Sequence, residues 1–516
     1  MSGGPGAGAP LRRVLHVASE VAPWCKTGGL ADVLGALPAA TSAASGGQVV
    51  AGVVLPLYPQ VRAAVRSMGL RLVDTGLRPR LRHRRGARVW TVRVPGAPVF
   101  FLELRGVFDR PTLYGPDQSA YAAQGYQDNV ERFTLLCEAA VAIGDRLLGG
   151  PVDLFHAHDW QAAALPGLLA DQGRATPCLL TIHNLAYLGE FGPTEQLGLP
   201  LSPATLAGPY ALGGRGSLLA GGVALATAVS TVSPRYAAEI ADPEAGPLGP
   251  LLARRGVVGV ANGLDLHVWD PARDPLLPAP FSPDDSAGKG AARRAALAAF
   301  GVLDEPDDLL IGVVARLVPQ KGLDLLLHLL PALRQLNARL LVLGEGEPAV
   351  ASALADAMAE HRRAALRLGF DERLAHQIIA GSDVLLIPSR FEPCGLTQRA
   401  AQACGTLPIV NPTGGLRDTV EDPGDAGLLA GQGSGIWMDG PTGPALVAAV
   451  ARAAALRTTH PQAWRSLQRA LMRLPLGWEA PARAWLQVYA KLWGDDTRSG
   501  PAFAVLPSGQ PPVAAG

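Results

Sequence analysis

A carboxylate, two basic side chains and a set of glycine turns are the residues here whose types and spacing could move a group off a phosphate. The carboxylate is Glu392, in RFEPCGLTQ (390–398), which follows the apolar run VLLIP (384–388). A short Val/Leu/Ile run ending in proline reads as a buried strand, and Pro393 and Gly395 as the turn into a helix from Leu396. In an open parallel sheet, ligands bind beyond the carboxyl ends of the strands. The amides of Gly395, Leu396 and Thr397, at the start of that helix, are then available to an anion. One loop thus offers a carboxylate beside an anion-binding turn, which is what transfer from a phosphate leaving group needs.

Other loops add to this set. In LLIGVVARLVPQKGLDLLLHLLPALRQL (309–336), Arg316 ends a strand and Lys321 precedes an amphipathic helix with leucines at helical spacing. An opposite charge at ~4 Å is worth roughly 4 kcal/mol at an effective dielectric of 20, so two cations make a clamp for one diphosphate. In WCKTGGLADVLGALP, Lys26, Gly28 and Gly29 precede a helical pattern at Leu30, Val33, Leu34 and Leu37. Glycines let the backbone approach a ligand, and lysine adds a point charge. The run lacks both the Walker pattern and the third glycine of a dinucleotide fingerprint. HAHDW (156–160) has the composition of a metal cluster, so a metal-dependent hydrolase on His156 and His158 competes. Alternation puts both histidines on one face of a strand, and no further ligands cluster nearby in sequence. The alternative is that Asp159 and His183, both at strand ends, hydrogen-bond a polyhydroxylated ligand without metal. Phe370, just past a strand, either stacks on a base or packs in the core.

The elements that must position these loops repeat a strand-then-helix rhythm. The strand runs are LRRVLHVASE (11–20), QVVAGVVLPLY (48–58), PVDLFHAHDW (151–160), CLLTIHN (178–184) and TAVSTVSP (227–234). Such alternation predicts a parallel sheet covered by helices on both faces. Residues 75–130 read as a β-rich insertion plus loop. A hinge is expected near 255–262, and the rhythm restarts after a Pro-rich segment (271–290) with strands in 338–348, 365–370, 381–390 and 406–420. Residues 441–495 read as helical, with Trp464, Trp478, Trp485 and Trp493 as core. Residues 1–10 and 497–516 read as disordered tails.

Composition narrows the partners. At 516 residues the chain has room for two or three domains. Its 45 Lys and Arg balance 44 Asp and Glu, so no global field attracts nucleic acid or an anionic membrane. Five cysteines without a C-x-x-C pair argue against a zinc site or disulfide framework and for a reducing cytoplasm. The start MSGGPGAGAP does not read as a signal peptide, and no apolar run approaches the ~20 residues of a membrane span.

Taken together, KTGGLADVLGALP, HAHDWQ, TIHNLAYLGEF, TVSPRYAAEI, the NGLD…W turn, RLVPQKGLDL, SRFEPCGLTQ and GTLPIV…TGGLRDTV resemble the bacterial glycogen synthases and plant starch synthases. They run in that family's order from residue 14 to about 493. The resemblance implies an α/β protein of two Rossmann-like, doubly wound domains facing across a cleft, the GT-B fold. It places the domains at 11–258 and 259–473, with helices from about 474 to 495 packing back on the first. It implies transfer of glucose from ADP-glucose to the non-reducing end of glycogen or another α-1,4-glucan, with retention at the anomeric carbon and no cofactor or metal. On matching motifs, it implies that Lys26, Gly28 and Gly29 approach the donor and that Arg316 and Lys321 hold the diphosphate. The amides at Gly395, Leu396 and Thr397 meet the same phosphates, and Glu392 lies near the transferred glucose. Asp159, His183 and Asn184 contact the sugar, Asn262 contributes to substrate binding, and Phe370 stacks on adenine. One departure stands out: in YALGGRGSLLAGG (210–222), Ala220 occupies the place of an expected lysine. That segment is expected to be less ordered and turnover lower, with donor binding spared and Ala220→Lys raising turnover or leaving it unchanged. A glucan-binding homologue that has lost catalysis is the alternative; retention of Lys26, Arg316, Lys321 and Glu392 argues against it.

Overall fold

The computed structural model describes residues 10–115 and 125–494. Of the tails predicted over 1–10 and 497–516, all but residue 10 lie outside the described residues, as does part of the loop within 75–130. The chain divides into two compact units: residues up to Gly263 with those from Trp478 onward, and Leu264–Gly477. Among the described residues, no helix is long and apolar enough to cross a membrane.

The first unit holds, in chain order, β1 (Arg12–Val17), β2 (Val49–Pro56), β3 (Val73–Asp74), β4 (Arg88–Thr91), β5 (Val99–Glu103), β6 (Leu154–His158), β7 (Cys178–Ile182), β8 (Glu190–Phe191), β9 (Ala211–Leu212), β10 (Arg215–Ser217), β11 (Ala228–Thr231) and β12 (Val258–Gly259). Its main sheet runs β12-β11-β7-β6-β1-β2-β5-β4-β3. From β12 to β5 the strands pair in parallel, and β4 and β3 add an antiparallel edge. The insertion expected at 75–130 therefore supplies a fully buried strand, β5, that joins the parallel part of the sheet, as well as the edge strand β4. Apolar runs such as VVAGVVLP are buried on both faces, as a parallel sheet requires. One covering helix is the C-terminal one, Glu479–Trp493, whose Trp485, Val488 and Tyr489 belong to this unit's core.

The second unit holds β13 (Leu309–Val314), β14 (Ala338–Gly344), β15 (Ala364–Leu368), β16 (Val384–Ile387), β17 (Leu407–Val410) and β18 (Ile436–Trp437), in the order β15-β14-β13-β16-β17-β18, all parallel. Its boundaries fall later than the sequence suggests. β12 still pairs with β11, so the chain stays in the first sheet beyond residue 258. On the return, Leu474 and Leu476 pack in the second unit's core. The amphipathic helix expected after Lys321 is one contiguous helical run that alternates in type, 3-10 at Leu323–Leu325, α at Leu326–Leu329 and 3-10 again at Leu330–Ala332, where Pro331 has no N–H to give an α-helical bond.

Each parallel sheet has one place where successive strands are added in opposite directions. In the first it lies between β1 and β6, in the second between β13 and β16. Loops leaving the carboxyl ends of those strands frame a crevice, the usual ligand position in open α/β sheets. These loops carry Lys26, Asp159, Arg316, Lys321 and Glu392, while His183 and Asn184 follow β7, Asn262 follows β12 and Phe370 follows β15.

Candidate active site

In the second unit, the chain leaving β13 passes Arg316 and turns through the 3-10 segment Pro319–Lys321. The chain leaving β16 runs through Ser389 to Glu392. The two are stitched together: the Arg390 amide donates to the Gln320 carbonyl at 2.9 Å, and Gln320 Nε2 to the Phe391 carbonyl at 3.1 Å. Gly322 makes the approach feasible. Its φ is +64°, and a Cβ there would lie 2.2 Å from the Pro388 carbonyl oxygen. The result is an ion pair, Lys321 Nζ to Glu392 Oε2 at 2.6 Å, with side chains 19% and 9% exposed. Ser389 Oγ donates to the same carboxylate oxygen at 2.9 Å. Asn411 Nδ2 fixes the Ser389 carbonyl, and the Gly415 amide fixes that of Glu392. Lys321, expected to pair with Arg316 in a phosphate clamp, is thus held by the carboxylate it was to work beside.

Leu396 caps the helix Thr397–Ala403. By helix geometry its first amides have no intrahelical acceptor. Gly395, Leu396 and Thr397 are all partly accessible, so this turn is not sealed in the core. Phe370 lies two residues past β15 and is 70% exposed, so core packing is not its role.

In the first unit, the loop leaving β1 turns on Glu20. This buried carboxylate accepts from the amide and hydroxyl of Thr27 and from the Tyr114 hydroxyl, which also meets Ser19 Oγ at 2.7 Å. It fixes the turn that presents Lys26, Gly28 and Gly29. Lys26 itself is exposed, with Nζ 2.7 Å from Asp32 Oδ1.

β6 delivers Asp159, whose φ of 56° lies in the left-handed region that non-glycine residues rarely adopt. Its Oδ1 accepts from the amides of His183 and Asn184, at 2.6 and 3.3 Å. Asp159 therefore shapes the loop after β7. Burial pushes its carboxyl up to about 7, against the opposing pull of those two amides.

Behind this loop lies a stripe of buried polar side chains. The parallel register pairs His16 with His156, and His158 with Thr181. Paired residues and those two apart share a face. His16 Nδ1 lies 3.0 Å from His158 Nε2, and His158 Nδ1 lies 2.9 Å from His183 Nε2. His156 is held by the Tyr489 hydroxyl at 3.0 Å and Thr181 Oγ1 at 2.6 Å, and Thr181 meets Ser230. Burial lowers the pKa of all four histidines, to about 3 for His16 and His183. His16, His156 and His158 also bring ligand-capable atoms within 4.8 Å of one another. The expectation that no third ligand lies nearby is thus corrected, because register brings in a histidine remote in sequence.

The site splits by unit. Arg316, Lys321, Glu392 and the 395–397 turn gather at one crevice; Lys26, the glycines, Asp159, His183 and Asn184 gather at the other. Asn262 sits in the turn after β12, buried, with its side-chain oxygen lacking a hydrogen-bond partner among the described residues. Sequence reasoning missed Glu20, Tyr114, His16 and Ser389. The signal for Glu20 was a Ser-Glu pair closing a strand run.

The segment 210–222 is not loosened by its glycines. β9 and β10 form a hairpin there, and Gly216 and Gly221 make room for the rings of Phe191 and Tyr210. Ala220 is buried in the helix Leu218–Leu225, which Ser217 caps. Where a less ordered segment was expected, the glycines serve close aromatic packing.

Residues 13–254 match the model of the starch synthase catalytic domain, and residues 308–438 that of glycosyl transferases group 1. A glycogen synthase of Acidiphilium cryptum is 42% identical over 494 residues, spanning 93% of this chain and 99% of that protein. One from Paracoccus denitrificans is also 42% identical, over 489 residues, with the same shares of 93% and 99%. The catalytic domain of starch synthase IV from Arabidopsis thaliana, solved bound to ADP and acarbose, superposes with a TM-score of 0.83 at 29% identity, covering 94% of this chain and 100% of that one. A sucrose-phosphate synthase from Thermosynechococcus elongatus, 18% identical with a TM-score of 0.55 over 94% of this chain and all of that one, shares the fold.

Proposed function

Because the chain belongs to the glycogen synthase family, we propose that it lengthens an α-1,4-glucan by adding glucose from ADP-glucose to the non-reducing end, with retention at the anomeric carbon. The chain is a glucose-transferring enzyme of the GT-B fold. The observation that carries the donor side is the Lys321–Glu392 ion pair at the second unit's crevice.

ADP leaves without protonation by an acid, so catalysis is electrostatic: negative charge grows on the diphosphate and positive charge on the sugar. In our reading, Arg316 and Lys321 meet the diphosphate, helped by the amides of Gly395, Leu396 and Thr397. As Lys321 turns to the phosphates, Glu392 loses its partner, and its charge is freed to steady the oxocarbenium-like sugar. Ser389 keeps the carboxylate oriented meanwhile. Phe370 offers its exposed face to the adenine. Lys26, Gly28 and Gly29 approach the donor, Asp159 holds the loop that presents His183 and Asn184 to the sugar, and Asn262 supplies an unpartnered acceptor. We assign the acceptor as glycogen and the compartment as cytoplasm; five buried cysteines, none in a disulfide, support a reducing environment.

The test is transfer of radiolabelled glucose to glycogen, comparing ADP-glucose with UDP-glucose. Label should reach glycogen mainly from ADP-glucose and be released by an exo-acting α-glucosidase. Faster transfer from UDP-glucose overturns the donor assignment, and no transfer from either overturns the function.

A further inference from the structure

The buried histidines behind His183 form a chain with a free end. His16 Nδ1 bonds His158 Nε2, and His158 Nδ1 bonds His183 Nε2. His16 Nε2 is buried with no partner among the described residues. His183 is the one member with surface left, at 9% exposed, and its remaining ring nitrogen is Nδ1.

A neutral imidazole carries one N–H and one bare nitrogen, so two hydrogen bonds in series must point the same way. If protons point from His183 inward, the chain ends on an N–H at His16 Nε2 with nothing to accept it. If they point outward, His16 Nε2 is a bare lone pair. Orphaned buried N–H groups are rarer than under-satisfied acceptors, so the outward direction is favoured. From these contacts we infer that His16 and His158 are positioning residues, holding His183 in the tautomer with hydrogen on Nδ1 so that it presents a donor to the sugar.

This rests on the reading above that His183 faces the transferred glucose. Burial keeps all the rings uncharged across the working pH range, so the arrangement is not a titration switch. An uncharged donor suits its place: it can polarise a sugar hydroxyl without adding positive charge beside an oxocarbenium-like centre. The tautomer is also the less common one, since imidazole free in water prefers hydrogen on Nε2.

The same histidines are the competing metal site. Both nitrogens of His156 and both of His158 are already engaged, and only His16 Nε2 is uncommitted. A metal would have to break the contacts that order the stripe, so the relay is favoured.

The test is nitrogen-15 NMR of the full chain labelled in histidine, without substrate, with His183 assigned by loss of its signals in His183→Gln. Expected is a protonated Nδ1 and a bare Nε2 at His183. Hydrogen on Nε2 in the unmodified protein overturns the inference, needing no further variant to fold. Replacing the donor with an acceptor in His158→Asp, whose ionised carboxylate oxygen falls near the position of Nδ1, should draw hydrogen onto His183 Nε2 and lower kcat about tenfold, the scale of one lost hydrogen bond. His158→Asn, which keeps an N–H donor near the position of Nδ1, should hold the Nδ1–H form and lose no more than about threefold. A purely structural role would leave the tautomer unmoved in both. Stoichiometric metal bound by these histidines in the purified protein also overturns the inference. The two readings separate cleanly: the tautomer is read without substrate, so a chain that fails to transfer glucose can still carry the relay, and an active chain can lack it.

Discussion

Replacing Lys321 with methionine should damage both stability and turnover, and a second substitution should repair only the first. At 2.6 Å, an effective dielectric of 20 puts the Lys321–Glu392 attraction at about 6 kcal/mol, much of it offset by desolvating both groups. Removing one partner is worse than removing both, because Glu392 is then left as an unpaired charge with little of its surface in water. Breaking such pairs costs about 3–5 kcal/mol, and the residual exposure of Lys321 favours the lower end. A loss of about 3 kcal/mol is roughly a 150-fold loss of protection for amides that exchange only when the second unit opens. Hydrogen exchange read by mass spectrometry on peptides from β13 and β16 measures it, with β6 as the internal control from the first unit. Glu392→Gln added to Lys321→Met should restore most of that protection, because no buried charge remains unpaired. Turnover at saturating donor should fall about 10²- to 10³-fold in the single variant and stay low in the double, since a contact with growing charge is gone in both. Protection within threefold of the parent in Lys321→Met, or no recovery in the double variant, refutes the reasoning about the pair.

Arg316→Ala should likewise lower turnover at saturating donor by about 10²-fold; near-parental turnover removes it from the phosphate clamp. Gly322→Ala sets a side chain at a φ of +64°, against the Pro388 carbonyl, and should cost about 2–3 kcal/mol in the same exchange assay while displacing Lys321 and lowering transfer. For Asp159, burial raises the folded-state pKa to about 7, so its protonated form is the one the fold favours. Its stabilising contribution is complete below the ordinary carboxylate range and is lost as pH rises through about 7. Asp159→Asn should flatten the first unit's stability between about pH 4 and 7, as exchange at β6 and β7 measures; an unchanged slope contradicts the assignment. Ala220 is 2% exposed, so a lysine there must thread its stem out of a packed helix; Ala220→Lys should destabilise the first unit by about 1–2 kcal/mol without raising turnover. Turnover above the parent would refute this packing argument.

The residues that touch ligands and those that orient them were not equally legible. Glu392, Arg316, Lys321, Lys26 and Asp159 stand in loops just after apolar runs, where a charged or glycine-rich break is visible in a few consecutive residues. His16 sits inside RRVLHV, an ordinary buried strand. Alternation tells which face such a residue occupies, but not which strand lies beside it. Its partner His158 is 142 residues away in sequence, and parallel strands can be neighbours across any such distance because crossovers of many lengths connect them. Tyr114 and Glu20, 94 residues apart, were hidden for the same reason. The leucine spacing after Gly322 located a helical run correctly, but not its type: it alternates between 3-10 and α, and Pro331 in its last segment is visible in the sequence. A local rule does remain for the hidden group. Buried polar side chains are almost always hydrogen-bonded, so His16, His156, Thr181 and Ser230, each within an apolar strand, must find partners on the same sheet face. That requirement announces a polar stripe before any register is known, and the register decides only where the stripe ends. Here it ends at His183, the one ring of the stripe that keeps some exposure.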